Sequence, residues 1–470
     1  MKNINLSKLI LGALIITLTT EINAQEEGKK WKPDWENLKE YEVPEWFLDA
    51  KLGIQYVGAP RDFNDQEYWF WNRTQQRARL WEADEHYNIL PDEGYKRITE
   101  SKEWWSNYVS PLEYDDPKKA IEKYQEIGAR YIVSMLRSAY FATEGLLMTN
   151  EEIEEARKHG LKVGLHYNFM RREGSPSFGD PGYVNWMIPM LKKAVIKNDA
   201  DFMFFDMEVD LEYLRVFEFI AWYYNWADKN DKKVWTEQGK DFDWSSNVLR
   251  LECQTMSGVS PKPFIIWDEL RNDWNCFIND RGIHIQTGEH WVWQYKDTDE
   301  LLQMFIDAVS KGGGWLIQMV NTKRAWETLE PIGKWLEING EAIYNTRPYF
   351  DVSDDTKVTP SYAEAAANSR FPNKQDWWNY WRLVCKEVNK SGPLYFNKSK
   401  DGKILYAIHW GWPDKRLFIQ DVSPLKGSTI KMLGSDTNLA WKQMGSDIII
   451  HLPDEKPCEF AYSFKIQLNK

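Results

Sequence analysis

Cysteine is scarce in this chain, which has four cysteines among 470 residues, and several signatures of metal or cofactor binding are missing. Four cysteines are too few for a disulfide-stapled scaffold of this length. The spacing leaves open whether Cys253 and Cys276 form a disulfide or remain isolated thiols. The sequence also lacks a Cys/His cluster with zinc spacing, a phosphate-binding loop and a dinucleotide glycine fingerprint. We therefore expect no metal and no cofactor.

Long apolar runs are also missing, except at the N-terminus. Lys2 and Lys8 precede an apolar core, Leu9–Leu18, and Ile22–Ala24 offers a small-residue cleavage site. This layout is typical of a secretory signal peptide, and its core is too short to span a bilayer. We expect residues 1–24 to be removed and the mature protein to be secreted or periplasmic.

The chain has fewer positive than negative charges. It contains 59 Lys and Arg and 71 Asp and Glu, which gives a net charge of −12. This balance argues against nucleic acid and against an anionic membrane as partners. Aromatic residues, in contrast, are abundant, with 26 Trp, 23 Tyr and 21 Phe. Several lie in polar sequence, such as Tyr68–Trp71 and Trp291–Trp293, where they suit stacking on sugar rings. An oligo- or polysaccharide is the expected partner.

Short apolar runs alternate with amphipathic helical patterns from Lys51 to about Tyr344. The predicted strands are Leu52–Val57, Tyr131–Met135, Val163–Tyr167, Phe202–Phe205, Val234–Thr236, Phe264–Trp267, Ile283–Ile285 and Trp315–Val320. The predicted helices are Pro117–Ile127, Glu151–His159, Tyr183–Lys197, Leu211–Asp228, Thr298–Ser310 and Pro331–Ile338. This alternation predicts a (β/α)₈-like barrel over residues 31–350.

The pattern changes after Phe350. Asp351–Asn373 is polar and is predicted to be a connector. Short alternating runs separated by turn signals then follow to the end of the chain, and they predict an antiparallel β-sandwich over residues 374–470. Because this part has no cluster of acidic or histidine residues, we expect it to be an accessory domain.

The segment Phe202–Met207 (FMFFDM) places a carboxylate, Asp206, at the end of an apolar run typical of a buried parallel strand. Barrel enzymes keep their catalytic groups at this end of the strands. Burying a carboxylate is also costly unless it has partners or a task. A catalytic Asp206 and a carboxylate that caps the next helix, near Leu211, both fit the local sequence.

Several segments match one known family in their order along the chain. They are WFLDAKLG (Trp46–Gly53), GARY (Gly128–Tyr131), GLKVGLHY (Gly160–Tyr167), AWYYN (Ala221–Asn225), VSKGGG (Val309–Gly314), GKWL (Gly333–Leu336) and NGEAIYNT (Asn339–Thr346). With Met432–Trp441 near the C-terminus, they resemble glycoside hydrolase family 29, the α-L-fucosidases, over essentially the whole mature chain. The resemblance implies a retaining enzyme built from a distorted barrel and a β-sandwich.

The resemblance carries the family's catalytic pair onto two residues of this chain. Asp206 matches the nucleophile, which forms a glycosyl ester. Glu252 matches the acid/base, which the family takes from a variable loop. Other candidates for the acid/base remain open: Glu289, Glu269 and Asp280.

The resemblance also implies residues that contact the sugar. These candidates are Tyr56, Glu67, Arg137, His166, Tyr167 and Trp293. Tyr167 is expected to pack beside the nucleophile. Tyr56 and Arg137, however, stand where the family has histidines that read fucose. Because a site built for one hydroxyl arrangement rejects others, we expect a modified fucose or α-L-galactose as substrate. A non-catalytic carbohydrate-binding relative is the alternative.

Overall fold

The barrel domain is built on one parallel sheet of eight strands. The computed structural model describes residues 30–56, 116–136, 146, 148–169, 181–206, 214–237, 246–252, 256–270, 298–319, 323–353 and 394–469. The strands of the sheet are β1 (Leu52–Tyr56), β2 (Tyr131–Met135), β3 (Lys162–Asn168), β4 (Phe202–Asp206), β5 (Trp235–Thr236), β6 (Leu249–Glu252), β7 (Phe264–Glu269) and β8 (Gly313–Met319).

The order of the strands is that of a barrel opened along one seam. Consecutive strands pair in parallel except β5 and β6, which form the two ends of the sheet, and β1 also pairs with β8. The sheet curls far enough for Arg250 of β6 to donate a 3.1 Å hydrogen bond to the carbonyl of Phe205 in β4. The predicted (β/α)₈-like architecture is confirmed.

Helices pack around this sheet. They are α1 (Trp35–Leu38), α2 (Glu45–Ala50), α3 (Pro117–Glu126), α4 (Asn150–Lys158), α5 (Pro181–Asn198), α6 (Val216–Lys229), α7 (Thr298–Ser310) and α8 (Lys323–Asn339). One of them, α2, packs against the barrel interior. Asp116 caps α3 by accepting from the backbone of Lys118, as its position before Pro117 predicts. Among the described helices, none is long and apolar enough to cross a bilayer.

Aromatic side chains fill the barrel at the N-terminal ends of its strands. Phe202 and Trp235 stack with ring centroids 4.7 Å apart, and Phe47 of α2 lies 4.2 Å from Trp235. A Cβ atom on Gly164 would lie 2.2 Å from the Phe202 ring, so glycine is required for this close approach. In the described residues, this end of the barrel is therefore filled by side chains.

Two elements of the barrel differ from their prediction. Strand β6 (Leu249–Glu252) was not predicted, so Phe264–Glu269 is the seventh strand and not the sixth. The predicted strand Ile283–Ile285 lies outside the described residues. Helix α8 begins at Lys323, upstream of the predicted start at Pro331, which it carries inside the helix.

Two antiparallel sheets form the C-terminal domain, as predicted. The strands are β9 (Thr346–Pro348), β10 (Leu394–Ser399), β11 (Ile404–Trp410), β12 (Arg416–Ile419), β13 (Ile430–Met432), β14 (Asn438–Leu439), β15 (Trp441–Met444), β16 (Asp447–His451) and β17 (Ala461–Gln467). The larger sheet has the order β14-β13-β17-β11-β10-β9, and the smaller one is β12-β16-β15. Strand β9 precedes the predicted connector, of which residues 351–353 are described.

Polar contacts, two of them buried, join this domain to the barrel. The indole N–H of Trp335 in α8 donates to the carbonyl of Ala461 at 2.7 Å, and the Asn397 amide donates to the carbonyl of Ala342 at 2.8 Å. Glu341 accepts from the Tyr406 hydroxyl at 2.8 Å and pairs with Lys465. The C-terminal domain therefore braces α8 and the turn that follows it.

Candidate active site

Asp206 is the last residue of β4, and strand alternation directs its side chain into the barrel. Phe202 and Phe204 belong to the interior cluster, whereas Met203 and Phe205 pack outward against the helices. Asp206 shares the parity of Phe202 and Phe204 and is therefore on the interior face. Its side chain keeps 14% of its surface exposed, although the four residues before it are fully buried. The strand thus presents one partly exposed carboxylate at the carboxyl end of a packed barrel.

Nitrogen atoms from two other strands surround this carboxylate. The side-chain amide of Asn168, at the end of β3, donates to Oδ2 of Asp206. Nη1 of Arg250 lies 3.5 Å from Oδ1, and Nε2 of His166 lies 3.5 Å from Oδ2. Nearby positive charge and donors favour the ionised form of a carboxyl group. The arrangement suits an anion that acts as a nucleophile.

A layer of hydrogen-bonded side chains lies beneath the carboxylate. His166 is fully buried, and its Nδ1 is 2.5 Å from Nε2 of Gln55 in β1. Oε1 of the same Gln55 accepts from the indole N–H of Trp267 in β7. The His166 ring stands edge-on to Phe204 and Trp267, with centroids 5.2 and 6.0 Å away. These contacts fix the imidazole below Asp206.

Three members of this site were missed in the sequence: Gln55, Asn168 and Arg250. Each is a polar residue inside a strand and is buried, with at most 2% of its surface exposed. The sequence signal that could have identified them is a polar residue at an interior position of a barrel strand. Glu237 was also missed; it directly follows β5, is 1% exposed, and donates its backbone N–H to the carbonyl of Met203. It is a buried acid next to β4, as is Asp201.

The structure brings together two of the predicted site residues, Asp206 and His166. Tyr167 instead faces the helices, where its hydroxyl lies 2.8 Å from that of Tyr183 in α5. The expected position of Tyr167 beside Asp206 is therefore corrected, because neighbouring residues of a strand point to opposite faces.

The other candidates are placed only in part or not at all. Tyr56, Glu252 and Glu269 are the last residues of β1, β6 and β7, so Glu252 ends a strand and does not lie in a loop. The remaining candidates lie outside the described residues: Glu67, Arg137, Asp280, Glu289 and Trp293.

No metal site is evident in the part of the chain that the structure describes. There, no group of three His, Cys, Asp or Glu side chains is arranged to hold an ion. Of the four cysteines, Cys458 is described, and it is free. Cys253 and Cys276 lie outside the described residues.

Comparison with known proteins identifies relatives along nearly the whole chain. The family model described as Alpha-L-fucosidase matches residues 18–137 and 147–341, and that of the Alpha-L-fucosidase C-terminal domain matches residues 388–467. The tissue alpha-L-fucosidase of Bos taurus is 22% identical over 507 residues, which cover 97% of this chain and 96% of the relative. That of Mus musculus is 22% identical over 491 residues, covering 93% and 95%.

Solved structures share the fold. The Thermotoga maritima alpha-fucosidase in complex with fucose superposes with a TM-score of 0.56 at 17% sequence identity. The match covers 93% of this chain and 100% of that one. At this identity the likeness establishes a common architecture of barrel and sandwich.

Proposed function

This chain belongs to the α-L-fucosidase family of glycoside hydrolases, and on that premise we propose that it is a retaining exo-glycosidase with Asp206 as its nucleophile. The substrate is a terminal α-L-fucose or a closely related L-sugar, such as a sulfated fucose or α-L-galactose, on a polysaccharide. The N-terminal sequence supports secretion, since residues 1–24 have the layout of a signal peptide.

The observation that carries the proposal is the position of Asp206 at the carboxyl end of β4, where donors surround its carboxylate. Its carboxylate is close to Asn168, His166 and Arg250, which favour the anion. In a double displacement, this anion attacks the anomeric carbon, the glycosidic oxygen leaves with a proton from an acid, and a glycosyl ester forms. The residue that donated this proton then acts as a base and activates a water molecule, which cleaves the ester.

The acid/base must come from a second carboxyl group about 5–5.5 Å from the nucleophile in a retaining enzyme. We assign this role to Glu252, which ends β6 two residues after Arg250, the residue that contacts Asp206. Glu289 is the second candidate. Glu237 and Glu269 are further acids at the ends of barrel strands, and their alanine variants are controls for Glu252→Ala.

Substrate selectivity follows from the histidines that the chain lacks. Tyr56 and Arg137 occupy positions at which the family resemblance implies histidine. A guanidinium binds sulfate or carboxylate in a bidentate way, so Arg137 suits a charged substituent on the sugar. Weak turnover of simple aryl α-L-fucosides, with better turnover of a sulfated fucoside or an α-L-galactoside, is the expected selectivity.

The Asp206→Asn variant tests this function. The amide keeps the shape of the side chain but cannot form the ester, so hydrolysis should fall at least about a thousandfold while sugar binding persists. Asp201→Asn is the matched control, because Asp201 is also a buried carboxylate next to β4 but pairs with Arg157 at the closed end. This control should lose stability and keep its kcat.

The alternative function is carbohydrate binding without turnover, which the missing histidines favour. Wild-type protein that binds fucosylated or α-L-galactosylated glycans but releases no sugar from any of them would support it. Release of oligosaccharides instead of single sugars would indicate endo-acting hydrolysis.

A further inference from the structure

We propose that Trp267, Gln55 and His166 form a hydrogen-bond relay that holds His166 as its neutral Nε2–H tautomer and thereby positions Asp206. The relay starts in β7, crosses β1 and β3, and ends at β4. The tautomer of His166 does not depend on whether the protein turns over a substrate. The consequence of the relay for catalysis rests on the proposed role of Asp206 as nucleophile.

The direction of the relay follows from the chemistry of its first member. An indole N–H can only donate a hydrogen bond, so the Gln55 atom that it contacts must be the amide oxygen, Oε1. The amide nitrogen of Gln55 then faces His166, with Nε2 lying 2.5 Å from Nδ1. Because an amide nitrogen can only donate, Nδ1 of His166 must be the acceptor.

A neutral imidazole that accepts at Nδ1 carries its proton on Nε2. In the described part of the chain, Nε2 of His166 is buried and has no hydrogen-bond partner. It lies 3.5 Å from Oδ2 of Asp206. With the proton on Nε2, a donor faces the carboxylate. With the other tautomer, a lone pair would face an anion, and Nδ1–H would oppose the Gln55 donor.

The relay has little freedom to rearrange. His166 and Gln55 are fully buried, and Trp267 is 4% exposed. The rings of Phe204 and Trp267 stand edge-on to the imidazole. The members of a buried hydrogen-bond chain constrain one another, so a change at Gln55 must reach His166. His166 is therefore a positioning residue for Asp206, together with Asn168 and Arg250.

The tautomer itself is the first test. In protein labelled with ¹⁵N-histidine, long-range ¹H–¹⁵N correlation spectra distinguish protonated from unprotonated ring nitrogens, and His166→Phe identifies the signals that belong to His166. The relay predicts a protonated Nε2 and an unprotonated Nδ1 at neutral pH. A protonated Nδ1, or an imidazolium, overturns the proposal whether or not the protein hydrolyses anything.

The second test changes the relay at Gln55. In Gln55→Glu, the carboxylate accepts from Trp267 and from Nδ1–H, so His166 can face Asp206 with a proton only as an imidazolium. With rising pH, the kcat of this variant should fall beyond the loss that deprotonation of the acid/base causes in the wild-type enzyme. Arg250 also faces Asp206 and is unchanged in both proteins.

Gln55→Met removes the donor to Nδ1 without adding charge. Its kcat should fall about tenfold with little change in KM, because the hydrogen bond that fixes the tautomer of His166 is lost. Thermal melting of both variants separates misfolding from a catalytic effect. A Gln55→Glu enzyme that is folded and has the wild-type pH profile contradicts the relay, whereas inactivity of the wild-type protein contradicts the proposed function and leaves the tautomer measurement to decide the relay.

Discussion

Arg250 and Asp206 meet across the seam of the parallel sheet, with Nη1 of the guanidinium 3.5 Å from Oδ1 of the carboxylate. Arg250 belongs to β6, at one end of the sheet, and Asp206 to β4, one strand from the other end. The guanidinium is 2% exposed and lies 5.1 Å from the ring centroid of Trp267. A buried cation needs an anion, so this contact both closes the barrel and helps to keep Asp206 ionised.

Replacing Arg250 should impair catalysis as well as stability. In Arg250→Met the cation at Oδ1 and the donor to the Phe205 carbonyl are both lost. We expect kcat/KM to fall roughly a hundredfold and stability to fall by about 3 kcal/mol. Arg250→Lys keeps the charge and should recover part of both losses. Steady-state kinetics and urea unfolding measure the two effects, and a Met variant with wild-type kcat/KM would exclude a role for this cation in catalysis.

The acid/base can be identified by rescue with azide. An alanine in place of the acid/base leaves the ester-forming step intact for substrates with a good leaving group, but slows the step that needs an activated water. Azide needs no base and should restore turnover of Glu252→Ala, giving the α-L-glycosyl azide with retained configuration.

Glu289→Ala, Glu237→Ala and Glu269→Ala are the matched controls for Glu252→Ala. Each should hydrolyse aryl glycosides without any acceleration by azide. If azide rescues Glu289→Ala and leaves Glu252→Ala unchanged, the acid/base assignment passes to Glu289. The proposed nucleophile would be unaffected, since Asp206→Ala with azide should give the β-azide by direct displacement.

Lys51 should make the stability of the protein depend on pH. Burial lowers the pKa of this lysine to about 7, and Arg347 contributes to the shift. Below pH 7 the cost of the buried charge is fully present; between about pH 7 and 10.5 only the unfolded chain stays protonated, so stability rises with pH. Lys51→Met should therefore stabilise the protein by roughly 2 kcal/mol at pH 6, with a smaller gain at pH 9.

Urea unfolding of Lys51→Met at the two pH values checks this expectation. Lys431, which is exposed on β13, provides the control, and Lys431→Met should change stability by no more than about 0.5 kcal/mol at either pH. If Lys51→Met raises the free energy of unfolding equally at both pH values, the effect comes from relief of packing strain and not from removal of a buried charge.

The strands that carry the barrel were predictable where their residues are apolar. Phe202–Asp206 is buried on both faces, so its sequence is a continuous apolar run that ends at the carboxylate. Strand β6, with the sequence LRLE, has charged residues at alternate positions and gives no such run. Its arginine is tolerated inside the barrel because it meets the Phe205 carbonyl, Asp206 and the Trp267 ring, which are contacts that the local sequence does not reveal.

Of the residues that the structure brings together at the candidate site, two could be predicted from the sequence. Asp206 could be identified from its own strand, and His166 from a matched strand end. Gln55 and Trp267 are separated by 212 positions in the sequence, so their contact depends on how the barrel closes. For Tyr167, the motif identifies the correct strand but not the face to which the side chain points. Alternation along this strand places His166 and Asn168 inside the barrel and directs Tyr167 toward the helices.

Trapping of the glycosyl ester tests the central claim most directly. The 2-deoxy-2-fluoro derivatives of α-L-fucosyl and α-L-galactosyl fluoride slow both steps of a retaining reaction but allow the ester to accumulate. Mass spectrometry of the intact protein and of its peptides should find one sugar per chain, bound to Asp206 and absent from Asp206→Asn. A sugar attached to another residue, or an active enzyme that forms no adduct, would contradict the assignment of Asp206 as the nucleophile.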